Sequence, residues 1–117
     1  MAQQKMDDEM QKAIEIAADC AQACRNCASA CLGEDDLDML RECIRLDLDC
    51  AGICSLAADS MSRQSRFHAQ ICQICADVCD ACAEECAKHQ HMKHCRQCAE
   101  ACRRCAETCR AMASAMT

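Results

Sequence analysis

Cysteine recurs along this chain at alternating steps of four and three residues, in four separate runs. The first run is Cys20, Cys24, Cys27 and Cys31, and the second is Cys43, Cys50 and Cys54. The third is Cys72, Cys75, Cys79, Cys82 and Cys86, and the fourth is Cys95, Cys98, Cys102, Cys105 and Cys109. Thiols in such number could hold soft metal ions, exchange electrons as dithiols or cross-link as disulfides. A 4-3-4-3 step is the inward seam of a helix in a bundle. All 17 cysteines are therefore expected to face one shared interior, where Leu and Ile are the usual filling.

Spacing and charge choose among these chemistries. Seam cysteines four apart form the pairs 20/24, 27/31, 50/54, 75/79, 82/86, 98/102 and 105/109. Such pairs have Cβ atoms roughly 5–6 Å apart, close enough for one metal to bridge two sulfurs. Pairs three apart, such as 72/75 and 95/98, link successive sites into a continuous column. Thiolate is the preferred ligand of Cu(I), and one Cu(I) per thiolate leaves the interior nearly neutral. A Zn(Cys)₄ site carries a double negative charge, and the seam offers no lysine or arginine to balance a stack of them. Iron–sulfur clusters are usually held from loop runs of the CxxCxxC kind, which this chain lacks. Bridges within one helix would be strained and would staple little, and a dithiol enzyme needs only one working pair. The reading that follows is a column for many Cu(I) ions. The alternatives are an iron–sulfur or dithiol redox protein and a general zinc or heavy-metal buffer.

Composition agrees with this reading. At 117 residues the chain is one domain's worth, 1–117, with no room for a second core. Leu, Ile, Val and Phe fill only 14 positions, a poverty that ordinarily signals disorder. Here proline is absent, glycine occurs twice, alanine is abundant, and cysteine serves as the small buried hydrophobe. The net charge of −6 argues against nucleic acid, whose footprint is a basic patch. No run is long and apolar enough to span a membrane, and the opening MAQQKMDDEM lacks the pattern of a secretory signal. A cytosolic location is expected, where thiols stay reduced, and an odd cysteine count fits that better than disulfides.

The elements that must position the sulfur follow from extending each ladder. Helix 1 is expected to run back from Cys31 through Ala17, Ala13, Met10 and Met6, and to stop at Gly33. Asp35 or Asp36 can cap helix 2, whose seam is Leu40, Cys43, Asp47, Cys50, Cys54, Ala57 and Met61. After a turn at 62–65, helix 3 runs from His68 to His89, and after a break near Gln90 helix 4 runs from His91 to Met116. Short connections make neighbours antiparallel, so the expected fold is all-α, an up-down-up-down four-helix bundle with a cysteine-lined core. One end is then a mouth with His89 and His91 on the seam, His94 one step off it, and Met39 and Leu40 nearby. The other is a greasy plug of Met6, Met10, Met61, Phe67, Met112 and Met116. There His68 is expected to pack or cap. Asp47, where helix 2 skips a cysteine, is a candidate polar partner inside the column.

These ladders, spanning Cys20 to Cys109, resemble those of the bacterial copper storage proteins, cysteine-lined four-helix bundles that hold many Cu(I) ions. The histidines before Cys95 look like those of the cytosolic members. The resemblance implies a non-catalytic store with Cu(I) on all seventeen cysteines and access at His89 and His91. It also implies a homotetramer, and a copper chaperone or a small-molecule copper carrier is a candidate partner of such a store. Helix 2 carries apolar residues on both flanks of its seam, Leu46, Ile53 and Leu56 on one and Leu37, Ile44 and Leu48 on the other. That is more than one bundle contact needs, and it fits a further subunit face.

Overall fold

The computed structural model describes residues 7–115 as four helices: α1 (Asp8–Leu32), α2 (Leu37–Ser62), α3 (His68–Ala87) and α4 (Lys93–Ala115). Each helix packs on two neighbours, α1 and α3 both touching α2 and α4, which makes the expected antiparallel bundle. It is a narrow rod of 57 × 21 × 19 Å. Met6 and Met116, assigned to the plug from sequence, lie outside the described residues.

Local chemistry sets the ends. Asp7 caps α1 by accepting from the Met10 amide at 2.7 Å, and Asp36 caps α2 by accepting from Met39 at 3.2 Å. The α2 C-terminus closes with a paired turn: Ser65 N–H donates to Ser60 O at 2.9 Å, and Gln64 N–H donates to Met61 O at 3.1 Å. This is the Schellman arrangement, and it places Gln64 at a φ of 52°, a conformation that usually selects glycine. It turns the chain sharply enough for α3 to begin at His68, as the seam count expects.

The α3–α4 connection differs from the expectation. Helix α3 ends at Ala87, α4 begins at Lys93, and residues 88–92 form consecutive turns tied by His89 N–H to Cys86 O and Met92 N–H to His89 O, each 3.0 Å. The Arg96 guanidinium donates to the Gln90 carbonyl and fastens this loop to α4. A helical residue count cannot be carried through five residues that are not helical. The position read for His91 as a continuation of the fourth seam changes accordingly, and His91 is exposed.

Burial follows the four-three ladder. All seventeen cysteines have no solvent exposure, and they share the interior with Leu40, Met61, Ala13, Ala17 and Ala57. Alanine stands one residue after alternate seam cysteines: Ala21 and Ala28 on α1, Ala76 and Ala83 on α3, Ala99 and Ala106 on α4, all buried. Ala83, Ala99 and Ala106 floor the groove between α3 and α4. Above that groove Arg110 of α4 reaches Asp77 and Asp80 of α3 at 3.3 and 2.9 Å. Side chains this small let helix backbones approach closely, which a sulfur column needs if opposite thiols are to meet.

The plug departs from expectation in one further respect. Phe67 is 51% exposed, with the Arg66 guanidinium 4.9 Å above its ring, while His68 is buried in its place. As the residue preceding α3, Phe67 lies outside the helical periodicity that turns His68 inward.

Candidate metal centre

The seam places sulfurs in a nearly continuous chain of contacts. Within helices, Cys27–Cys31, Cys75–Cys79 and Cys98–Cys102 are each 3.9 Å apart, and Cys50–Cys54 and Cys105–Cys109 are each 3.8 Å apart. The two remaining CxxxC pairs converge on a third group. Cys20 and Cys24 both reach Cys102, at 3.8 and 3.7 Å, while Cys82 and Cys86 both donate to Asp47 Oδ1, at 3.2 and 3.6 Å. Between helices the closest approaches are Cys50–Cys79 at 3.5 Å and Cys43–Cys86, Cys54–Cys75 and Cys54–Cys79, each at 3.6 Å. With metal–sulfur bonds of about 2.3 Å, two sulfurs on a linear ion stand about 4.6 Å apart and two of a trigonal set about 4.0 Å. The thiols thus lie within about an ångström of bridging distance before any ion arrives.

Quartets of sulfurs overlap along the rod. Cys24–Cys82–Cys98–Cys102 shares two members with Cys20–Cys24–Cys50–Cys102. That quartet shares two with Cys20–Cys50–Cys54–Cys79, which shares two more with Cys54–Cys75–Cys79–Cys105. At the mouth stands Cys27–Cys31–Cys43–Cys95. Overlapping quartets cannot all be filled by ions that each demand four private thiolates. Ions bridged by shared thiolates can fill them. Among the described residues no lysine or arginine is buried, so charge on the sulfurs has only bound cations to balance it.

Protons balance it in the metal-free column. At the mouth, burial raises the Cys31 and Cys95 thiols, Cys95 to about 11, and the neighbouring Cys43 adds to both. Deeper in, thiols share protons through hydrogen bonds: the bond between Cys20 and Cys102 lowers Cys20 and raises Cys102.

Asp47 is wholly buried on α2, between the mouth quartet and the overlapping ones. Its Oδ2 lies 3.9 Å from Cys43, and its Oδ1 accepts from Cys82, Cys98 and Cys86 at 3.2, 3.3 and 3.6 Å. Burial first, then the charge of Cys98, pushes its carboxyl up to about 10. At neutral pH its carboxyl is protonated and carries no charge.

The mouth is built differently from the sequence reading. His89 is buried, and its Nε2 lies 3.2 Å from Glu85 Oε2, a carboxylate that Lys88 also holds at 3.1 Å. With Nε2–H donating to Glu85, the lone pair of the neutral ring sits on Nδ1. His91, placed on the seam by residue count, instead falls in the 88–92 turn and is exposed. His94 takes the inward place: it is half-buried, and its Nε2 is sealed from solvent without a hydrogen-bond partner. Leu40 is fully buried one turn before Cys43, whereas Met39 is exposed. Glu85 went unnoticed in the sequence, although its four-residue offset from His89 was a readable signal.

A four-helix bundle with overlapping buried thiols and imidazoles at one end is a container for soft monovalent metal. Comparison with known proteins gives that class a family. The profile of the copper storage proteins, Csp, matches residues 6–114. An uncharacterized cysteine-rich protein of Bacillus subtilis (strain 168), YhjQ, is 48% identical over 86 residues, covering 74% of this chain and 80% of its own. The Cu(I)-bound copper storage protein BsCsp3 superposes with a TM-score of 0.86 at 47% identity, over 91% of this chain and 99% of its own. A cytosolic copper storage protein from Streptomyces lividans carrying five coppers gives 0.87 at 44% identity, over 92% and 93%. This chain belongs to the copper storage protein family.

The buried acid generates a test on the metal-free protein. Between the usual carboxylate value near 4 and the raised one near 10, the folded protein holds the Asp47 proton and the unfolded chain does not. Each unit of rising pH in that window therefore favours the unfolded chain, by about 1.4 kcal/mol. Urea unfolding of the reduced protein from pH 5 to 8 should show wild type losing stability against Asp47→Asn by about that slope. Parallel curves for the two proteins would mean that Asp47 is charged in the folded state.

Proposed function

We propose that this protein stores Cu(I) in the cytosol, binding on the order of one ion per cysteine along the bundle axis and performing no catalysis. The observation that carries this is the overlap of sulfur quartets in an interior without a buried lysine or arginine. Cu(I) accepts shared thiolates and brings the single positive charge that neutralises one of them. Zinc would leave excess negative charge in a dry core at each four-thiolate site. The Cu(I)-bound state of one relative and the cytosolic description of another support the choice of metal and compartment.

In this reading all seventeen cysteines ligate, and copper passes in through His89 and His94. Glu85 orients His89. His91, exposed in the turn, is left without a part in the column. Imidazole binds copper less firmly than thiolate and so can hand it inward. A chaperone or a small copper carrier would meet the chain at this end. Assembly as a homotetramer is supported by Leu37, Leu48 and Leu56 of α2 and Ile74 of α3, large apolar residues left exposed on a single chain. Sedimentation equilibrium should give four chains, and a monomer at micromolar concentration would remove that part of the proposal.

An anaerobic Cu(I) titration against a competing chelator tests storage itself. Wild type should saturate near its cysteine count of 17. Saturation at a few equivalents, with most thiols still reactive, would overturn the reading. In the same assay His89→Ala/His94→Ala should slow uptake or removal several-fold at nearly unchanged capacity, while His91→Ala should match wild type. Unchanged rates in the double variant would place the mouth elsewhere.

A further inference from the structure

We propose that the sulfur column ends, at the pole remote from the mouth, in a mixed nitrogen–sulfur Cu(I) site made by His68 Nε2 and Cys72. The proposal rests on the storage reading above and extends it to a residue that the sequence assigned to packing or capping.

His68 opens α3 one helical turn before Cys72, on the same inward face, and only 5% of it is exposed. It caps nothing: the residue before the helix is Phe67, and no side-chain cap bond is made there. Its Nδ1 lies 2.7 Å from the Ser65 carbonyl oxygen. A carbonyl only accepts, so Nδ1 carries the hydrogen, and in the neutral ring the lone pair sits on Nε2. That Nε2 is sealed from solvent and has no hydrogen-bond partner. Leaving a buried acceptor unpaired is costly, and a purely structural histidine would avoid it by finding a donor. Fixing one ring nitrogen on a backbone carbonyl to present the other is how proteins orient metal-binding imidazoles.

The surroundings suit an end site. Residues four apart on one helix face have Cβ atoms about 5–6 Å apart, so the ring and the Cys72 thiol can converge on one ion. Cys72 is wholly buried. Met61, fully buried at the α2 terminus, belongs to the same apolar cluster. When Cu(I) binds, Nε2 gives its lone pair, Cys72 gives its thiolate, and the Cys72 proton leaves to solvent. No electron is transferred, and the site is neutral. Two thiolates on one Cu(I) would leave a net negative charge at the closed pole, so imidazole is the better terminal ligand.

The test uses full-length reduced protein with ¹⁵N-labelled histidine, titrated anaerobically with Cu(I)–acetonitrile and followed by long-range ¹H–¹⁵N correlation of the imidazoles. Ultraviolet thiolate-to-Cu(I) absorption reports column filling independently. Metal-free His68 should show the Nδ1–H form. Late in the titration its Nε2 should leave the free-imine position while Nδ1–H is kept. His68→Gln, checked for unchanged helix by circular dichroism, should hold about one Cu(I) fewer per chain. If the column fills while His68 Nε2 stays unmoved, or if the ring carries its hydrogen on Nε2, this site is overturned and storage stands. If the column does not fill, both fall.

Discussion

Each thiolate in this interior must carry a monovalent cation. The core is dry, it holds no lysine or arginine among the described residues, and its sulfurs lie 3.5–4.0 Å apart. Two bare thiolates at that distance and low dielectric would repel by several kcal/mol. A proton or a Cu(I) ion relieves this equally well, and the two can replace one another without changing the charge of the bundle. Filling and emptying are then exchanges of one cation for another. The shell keeps its helices throughout because neither cation dictates their register.

That requirement explains the residue choices around the sulfur. The bundle cannot be wide, or thiols on opposite helices would not share ions, so alanine stands beside alternate seam cysteines where bulkier side chains would push helices apart. Asp47 obeys the same rule. Its carboxyl is held neutral by burial, and it ties Cys43 on the mouth side to Cys82 and Cys98 beyond. The imidazoles of His68, His89 and His94 stand where the column stops.

The four-three count made most of this legible in the sequence, because inside a helix periodicity converts directly into burial. It placed every cysteine, Asp47, Leu40 and Met61 in the core, where the structure has them. It failed where the chain is not helical. His91 was counted as a seam residue across a segment that is a series of turns, and the half-buried imidazole there is His94. Phe67 was put in the plug for its greasiness, yet it precedes α3 and faces outward. The proton on Asp47, the Glu85–His89 pair and the unpaired Nε2 of His68 depend on atoms meeting across the fold, and residue types alone do not report that.

Counting protons tests the exchange most directly. Reduced, metal-free protein in a weakly buffered anaerobic cell at neutral pH is titrated with Cu(I)–acetonitrile, and released acid is neutralised by pH-stat alongside measured copper uptake. The account predicts about one proton per Cu(I) bound until the thiols of the column are consumed, with uptake near the cysteine count of 17. Release far below one proton per copper would mean that the sulfurs are already ionised in a core with no cation to hold them, and would contradict it.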